Sequence, residues 1–254
     1  MSNNAKRLTR KKKMEDAIPP HVKPKLNEQC TTRLLQSFTP TDSQKTLINK
    51  IRENTLTFCD SEAGTGKTSA TLFHFCKEYI ADPYKEIVIV RTPVEIGNDK
   101  IGFLPNGYGD KVAVHFASAR EILEQFLGKS RVEADLGNRI HFKIPNYMLG
   151  STISNSLVLI DEAQQLQPMI LKLLLERTGL DTKVVIAGCS NQLYSTGKDR
   201  NALADALQRF FIFQDGEVYK KYDDVGYHEF DIEEIQRAEI VKTVIRAYKG
   251  VGGN

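Results

Sequence analysis

No run of this 254-residue chain approaches the roughly 18 consecutive apolar residues that a membrane-spanning helix needs. The longest apolar stretches, such as SLVLI and FFIF, have the length of buried strands. No membrane partner is expected. A secretory leader is not expected either, because the basic N-terminus runs into MEDAIPPHVKPK and not into an apolar core. Cysteine is scarce. Cys30, Cys59, Cys76 and Cys189 stand far apart with no C-x-x-C pairing, which argues against a disulfide framework and against a zinc site. A reducing, cytoplasmic setting fits that usage. His74, His115 and His228 are isolated and read as structural.

Excess charge is also missing from most of the chain. The net charge is +3, yet residues 6–13, KRLTRKKK, hold six positive and no negative side chains, so the remainder carries −3. The basicity belongs to a tail. Such a tail can bind nucleic acid by releasing counterions, or it can be a solvated arm, since no aromatic residue is interleaved to stack a base. Residues 1–25, with Pro19, Pro20 and Pro24, read as a disordered basic tail. Residues 26–250 read as one domain, for which the length and the 41% hydrophobic content suffice.

From Pro40 onward, short apolar runs alternate with amphipathic stretches. TDSQKTLINKIREN predicts a helix behind an Asp42 or Ser43 cap. TLTFC, EIVIVRT, SLVLID and KVVIAG predict strands; GKTSATLFHFCKEYI, KVAVHFASAREILEQFL and QPMILKLLLERTG, ending at Gly179, predict helices. RVEADLGNRIHFKI predicts a hairpin turning at Gly137-Asn138. DIEEIQRAEIVKTVIRAY predicts one helix with Ile232, Ile235, Ala238, Val241, Ile245 and Tyr248 on a face. The alternation implies an α/β fold with a mostly parallel, doubly wound sheet and helices on both faces. DGEVYKKYDDVGYHEF carries no readable motif.

The stretch TFCDSEAGTGKTSATLF, residues 57–73, joins the first of these strands to its helix. A loop at such a junction wraps phosphates with successive backbone N–H groups, and the helix dipole adds to the attraction. Ser61, Glu62, Ala63, Gly64, Thr65, Gly66, Lys67, Thr68 and Ser69 form it here. The two glycines permit close approach, Lys67 reaches the β- and γ-phosphates, and Thr68 offers its hydroxyl to Mg²⁺. The pattern G-x-x-x-x-G-K-[ST] is complete except at its first position, where Ser61 stands for Gly.

SLVLIDEAQQ supplies the complement. An apolar strand ends in two adjacent acids, 94 residues beyond Lys67. Asp161 is the candidate for the Mg²⁺ shell and Glu162 for the base that deprotonates an attacking water. Small-molecule kinases with this loop must avoid water attack, so Glu162 argues against a phosphotransferase. In KVVIAGCSNQL, Gln192 either senses the γ-phosphate or is an ordinary polar loop residue.

These stretches, in this order from about residue 40 to residue 248, resemble the PhoH-like ATPases, which are related to the RecA-like cores of superfamily 1 helicases. AGTGKT, DEAQ, RTPVEIGNDKIGFLPNG (with Arg91, Gly102, Phe103, Leu104 and Pro105), IPNYMLGSTISNS, LLLERTG and the closing helix all match. The resemblance implies a RecA-like P-loop domain that hydrolyses ATP with Mg²⁺. It further implies assembly as rings, often hexamers, and a link to RNA or single-stranded nucleic acid. It gives Gln44 an adenine-recognising role and Arg237 a nucleotide-sensing one. Some relatives carry an N-terminal ribonuclease domain; the 60 residues ahead of the loop are too few for it, so no nuclease is expected. The departures are Ser61 and, after the last core strand, GCSNQ, in which Cys189 stands where the family has Asp. Arg177 is either a cation reaching nucleotide across a subunit interface or one favouring a helix C-terminus.

Overall fold

The computed structural model describes residues 35–92, 108–145, 148, 150, 152–191 and 201–249. The basic tail, most of RTPVEIGNDKIGFLPNG and Gln192 lie outside the described residues. The chain order is α1 (Asp42–Glu53), β1 (Leu56–Asp60), α2 (Lys67–Ala81), β2 (Glu86–Val90), α3 (Tyr108–Leu127), α4 (Lys129–Asp135) and β3 (Ile140–Lys143). It continues with β4 (Ser156–Ile160), α5 (Pro168–Leu175), β5 (Lys183–Gly188), α6 (Ala202–Phe210), the strands β6 (Phe211–Gln214) and β7 (Glu217–Lys220), β8 (Val225–Glu229) and α7 (Glu239–Lys249). Short 3-10 turns occupy Ala163–Gln165 and Ile232–Glu234.

Six strands form one sheet in the order β3-β2-β4-β5-β1-β8, and every adjacent pair is parallel. Because parallel strands need crossovers, both faces are covered and the central strands are apolar on both sides. The alternation along each strand sorts its residues. Ile87, Ile89, Leu157, Leu159 and Val185 pack with Leu47, Ile51, Leu72, Phe75 and Leu123 from α1, α2 and α3. Val88, Val90, Val158, Ile160 and Ile186 pack with Leu171, Leu174, Leu203 and Leu207 from α5 and α6. The expected doubly wound α/β architecture is what the chain adopts. β5 lies between β1, which leads into the glycine-rich loop, and β4, which ends at the acid pair.

Several local expectations are corrected. Thr41, not Asp42 or Ser43, caps α1: its hydroxyl accepts the Gln44 N–H at 3.3 Å, and the Gln44 side chain accepts the Thr41 N–H at 3.1 Å. The hairpin at Gly137-Asn138 does not form. Its first arm is α4, with Val132 buried, and its second is β3, which runs parallel to β2 at the sheet edge. Arg139 decides this by donating to the Tyr79, Asp82 and Lys85 carbonyls at 2.9 Å, so that it clamps the end of α2. The helix through LLLERTG stops at Leu175, because the Gly179 N–H and the Arg177 carbonyl both bond the backbone of Ile153.

The closing helix is also two elements. An Asp231–Glu234 capping box ends in the 3-10 turn, Ile235 is buried in extended backbone, and α7 begins only at Glu239. Tyr248, placed on the predicted apolar face, is 79% exposed. The stretch that carried no motif supplies β7, which pairs antiparallel with β6, and β8, which pairs with β1 at the other edge.

Candidate functional site: a phosphate loop facing an acid pair

At the C-terminal end of β1 the backbone turns through the glycine-rich loop into α2. Gly66 sits at the helix N-cap position with φ +82°, so no side chain caps the first turn. The N–H groups opening α2 are therefore not satisfied by a capping side chain, the arrangement that attracts an anion at a helix N-terminus. Gly64, at φ +95°, is needed for a second reason: a Cβ there would lie 2.8 Å from Arg237 Nε. Arg237, exposed in the bend between Ile235 and α7, thus lies over the loop, and the Gln236 N–H donates to the Gly64 carbonyl at 2.9 Å.

The loop is held from within. Ser61 Oγ and Thr65 Oγ1 are 2.9 Å apart, and the Ser61 N–H donates to the Gly188 carbonyl at 2.9 Å. A serine hydroxyl therefore takes up the space at the first motif position as a hydrogen-bonded strut. Lys67 Nζ lies inside the curl, donating to the Ser61 and Glu62 carbonyls at 3.2 and 3.3 Å. Gln44 Nε2 donates to the Thr65 carbonyl at 3.4 Å, so the capping box of α1 touches the loop. Of the loop residues, Glu62 is buried while Ala63 and Ser69 are partly exposed.

Across from the loop, Thr68 Oγ1 donates to Asp161 Oδ1 at 3.4 Å. Burial pushes the Asp161 carboxyl above its ordinary range and Glu162 adds to that, while Arg91 and Lys67 pull the other way. Arg91 approaches both acids, at 3.9 Å from Asp161 Oδ2 and 3.9 Å from Glu162 Oε1. Among the described residues no three His, Cys, Asp or Glu side chains cluster as a metal cage. One hydroxyl and one carboxylate suit Mg²⁺, which takes few protein ligands and completes its shell with water and phosphate oxygens. A divalent cation here would also offset the raised affinity of Asp161 for a proton.

Glu162 has φ +54°, a left-handed conformation uncommon outside glycine. Such backbone costs on the order of 1–3 kcal/mol and persists where the surroundings determine it. Here Gln164 does so. Its Nε2 donates to Glu162 Oε2 at 2.8 Å and its Oε1 accepts the Cys189 N–H at 3.1 Å, with the side chain 2% exposed. Burial first, and Glu62 in addition, push the Cys189 thiol up to about 12, so it stays neutral. Beyond it, Asp60 at the end of β1 accepts the Ser190 N–H at 2.8 Å and the Ser190 hydroxyl.

The fold thus brings together Gln44, the 61–69 loop, Asp161, Glu162 and Arg237. Gln192 lies outside the described residues, two positions after Ser190. Arg177 does not join its own chain's site, since its backbone bonds Ile153, ahead of β4, at the opposite end of that strand from Asp161. Sequence reasoning assigned no part to Gln164, Asp60 or the Arg91 contacts. The signals were present: a second polar residue inside DEAQ, a lone acid closing the apolar run TFCD, and an arginine directly after a buried strand.

A family model described as PhoH-like protein matches residues 38–249. The chain belongs to the PhoH-like family. The PhoH-like protein of Bacillus subtilis is 29% identical over 209 residues, which is 82% of this chain and 62% of that protein. The PhoH-like protein of Synechocystis is 26% identical over 208 residues, covering 81% of this chain and 60% of that one. Protein PhoH of Escherichia coli K12 is 28% identical over 210 residues, covering 82% and 56% respectively. The chain therefore spans about 60% of the length of these relatives. Among solved structures, the large terminase ATPase domain of a Thermus phage superposes with a TM-score of 0.51 at 14% identity, over 85% of this chain and 90% of that one. The large terminase of a second, thermophilic bacteriophage gives 0.50 at 11% identity, over 82% and 50%. At such identities the likeness concerns the fold, which is that of a P-loop NTPase. No helix among the described residues is long and apolar enough to cross a membrane.

Proposed function

We propose that this PhoH-like chain hydrolyses ATP in a Mg²⁺-dependent reaction and couples the cycle to RNA or single-stranded nucleic acid within a homo-oligomeric, hexameric ring. The observation that carries the hydrolytic part is Glu162. It is held in left-handed backbone one residue beyond Asp161, with one carboxylate oxygen fixed by Gln164.

The loop N–H groups and Lys67 bind the β- and γ-phosphates, and Arg237 reaches the same end of the nucleotide from above Gly64. Thr68 and Asp161 would hold a Mg²⁺ ion, which when bound would neutralise phosphate charge. Glu162 takes a proton from a water as its oxygen bonds to the γ-phosphorus. The bond from that phosphorus to the β–γ bridging oxygen breaks, giving ADP and inorganic phosphate. Gln192 senses the γ-phosphate and Gln44 the adenine. The nucleic-acid and ring parts rest on membership of the family and on the basic tail. A second reading, an ATP-dependent switch with little turnover, is favoured by one observation: a neutral, buried Cys189 where the family resemblance places a carboxylate.

Steady-state ATP hydrolysis with and without single-stranded RNA or DNA tests the reading. Wild-type turnover, its abolition in Lys67→Ala, and nucleotide binding without turnover in Glu162→Gln are expected. A drop in kcat of roughly 10²–10⁴ in Glu162→Gln matches removal of a general base. Unchanged turnover in that variant refutes the assignment, and ATP binding without hydrolysis in the wild type selects the switch.

A further inference from the structure

We propose that Asp60 is a positioning residue for the base Glu162, delivering from β1 the carboxylate that the family resemblance places at position 189, just after β5. β1 and β5 are parallel neighbours, and their register sets Asp60 directly beside Gly188. A carboxylate at the end of β1 therefore reaches the turn that follows Gly188. It is used fully there: one oxygen accepts the Ser190 N–H at 2.8 Å and the other accepts the Ser190 hydroxyl. Asp60 is 8% exposed, and a carboxylate that buried is tolerated only when its oxygens are bonded.

Ser190 is a junction of three elements. Its carbonyl accepts Asn201 Nδ2 at 2.6 Å, and Asn201 Oδ1 caps α6 by accepting the Ala204 N–H at 2.8 Å. The residue before it donates onward: the Cys189 N–H holds Gln164 Oε1, and Gln164 Nε2 holds Glu162 Oε2. Fixing Ser190 fixes the direction of the Cys189 N–H, and through Gln164 it fixes the carboxylate that faces the attacking water. The thiol of Cys189 cannot stand in for Asp60, because a thiol bonds weakly. Nor can two carboxylates share this turn cheaply, since the charges of Glu62 and Asp60 already act on position 189.

Moving the carboxylate from one strand to the other tests this. Asp60→Ala, the gentler Asp60→Asn, Cys189→Asp and the double variant Asp60→Ala with Cys189→Asp are compared in two assays. One is the kcat and KM of ATP hydrolysis; the other is amide hydrogen exchange across residues 186–191. Asp60→Ala is expected to lower kcat by about 10- to 100-fold, the usual cost of losing an outer-shell partner. Nucleotide affinity should stay within about threefold, and the turn should lose amide protection. Asp60→Asn, which keeps an acceptor for the Ser190 N–H, should fall between. Cys189→Asp alone should also lower kcat, and the double variant should restore both turnover and protection.

A double variant no better than the worse single one overturns the proposal, as does unchanged kcat and protection in Asp60→Ala. The kinetic arm rests on the ATPase reading. Should the wild type not turn over, that reading fails and the exchange arm still decides: loss of protection in Asp60→Ala that the double variant reverses supports the anchor, and unchanged protection refutes it.

Discussion

His74, inside α2, shows how one buried side chain ties stability to pH. Burial, helped by Arg52, Lys183 and Lys77, lowers its pKa from 6.5 to about 4, and its Nδ1 has no hydrogen-bond partner among the described residues. The folded protein keeps the ring neutral in a window where the unfolded chain takes up a proton. Stability therefore falls as pH drops from about 6.5 towards 4, by about 3 kcal/mol at most for this group. Thermal unfolding of wild type and His74→Leu over that range checks it: the variant should show a shallower loss on the acid side, and parallel curves would refute the assignment. The same lack of solvent raises Asp161, but there a cation is the natural remedy, whereas His74 has only deprotonation. The two residues differ in role because one faces the phosphate loop and the other faces the core.

At the scale of elements, α1 does more than cover the sheet. Its capping box uses Gln44, and the same side chain touches the Thr65 carbonyl, so the start of α1 and the phosphate loop share one residue. Thr41→Ala removes the hydroxyl half of the box, which costs about 1 kcal/mol. In a domain of this size that lowers Tm by roughly 2–4 °C. Because Gln44 loses an anchor beside the loop, the KM for ATP should rise in the same variant while Thr41→Ser keeps both values. A Tm loss with unchanged KM would separate the cap from the loop. Elements whose character depended on distant partners were the ones misread. α4 and β3 follow a sequence with good hairpin chemistry, yet Arg139 is drawn to the carbonyls ending α2 and the strand joins β2. The last helix breaks because the Gln236 N–H goes to Gly64 and not to a helical turn.

For the whole molecule, exposed apolar side chains bear on assembly. Ile240, Val244 and Tyr248 lie at helical spacing on α7, and Ile212, Phe213 and Tyr219 lie on the β6–β7 hairpin, all well exposed. Exposed apolar residues at regular spacing fit a chain that meets other copies. Light scattering of the native protein with a non-hydrolysable ATP analogue should give a multiple of the monomer mass, and a monomer under every nucleotide condition would refute the ring.

The phosphate loop, the acid pair and the parallel sheet were legible in the sequence because each is encoded locally. A glycine-rich turn between an apolar strand and a helix, or two acids closing a buried strand, needs no knowledge of what lies opposite. Ser61, a departure in sequence, becomes a strut once Thr65 is seen 2.9 Å away. What only the tertiary structure decided is which strand stands beside which. With β5 next to β1, Asp60 meets Ser190, 130 residues later, and Gln164 bridges the acid strand to the same turn. Sheet order is set by the packing of helices on both faces, and no local pattern records it; the network that orients Glu162 is a consequence of that order.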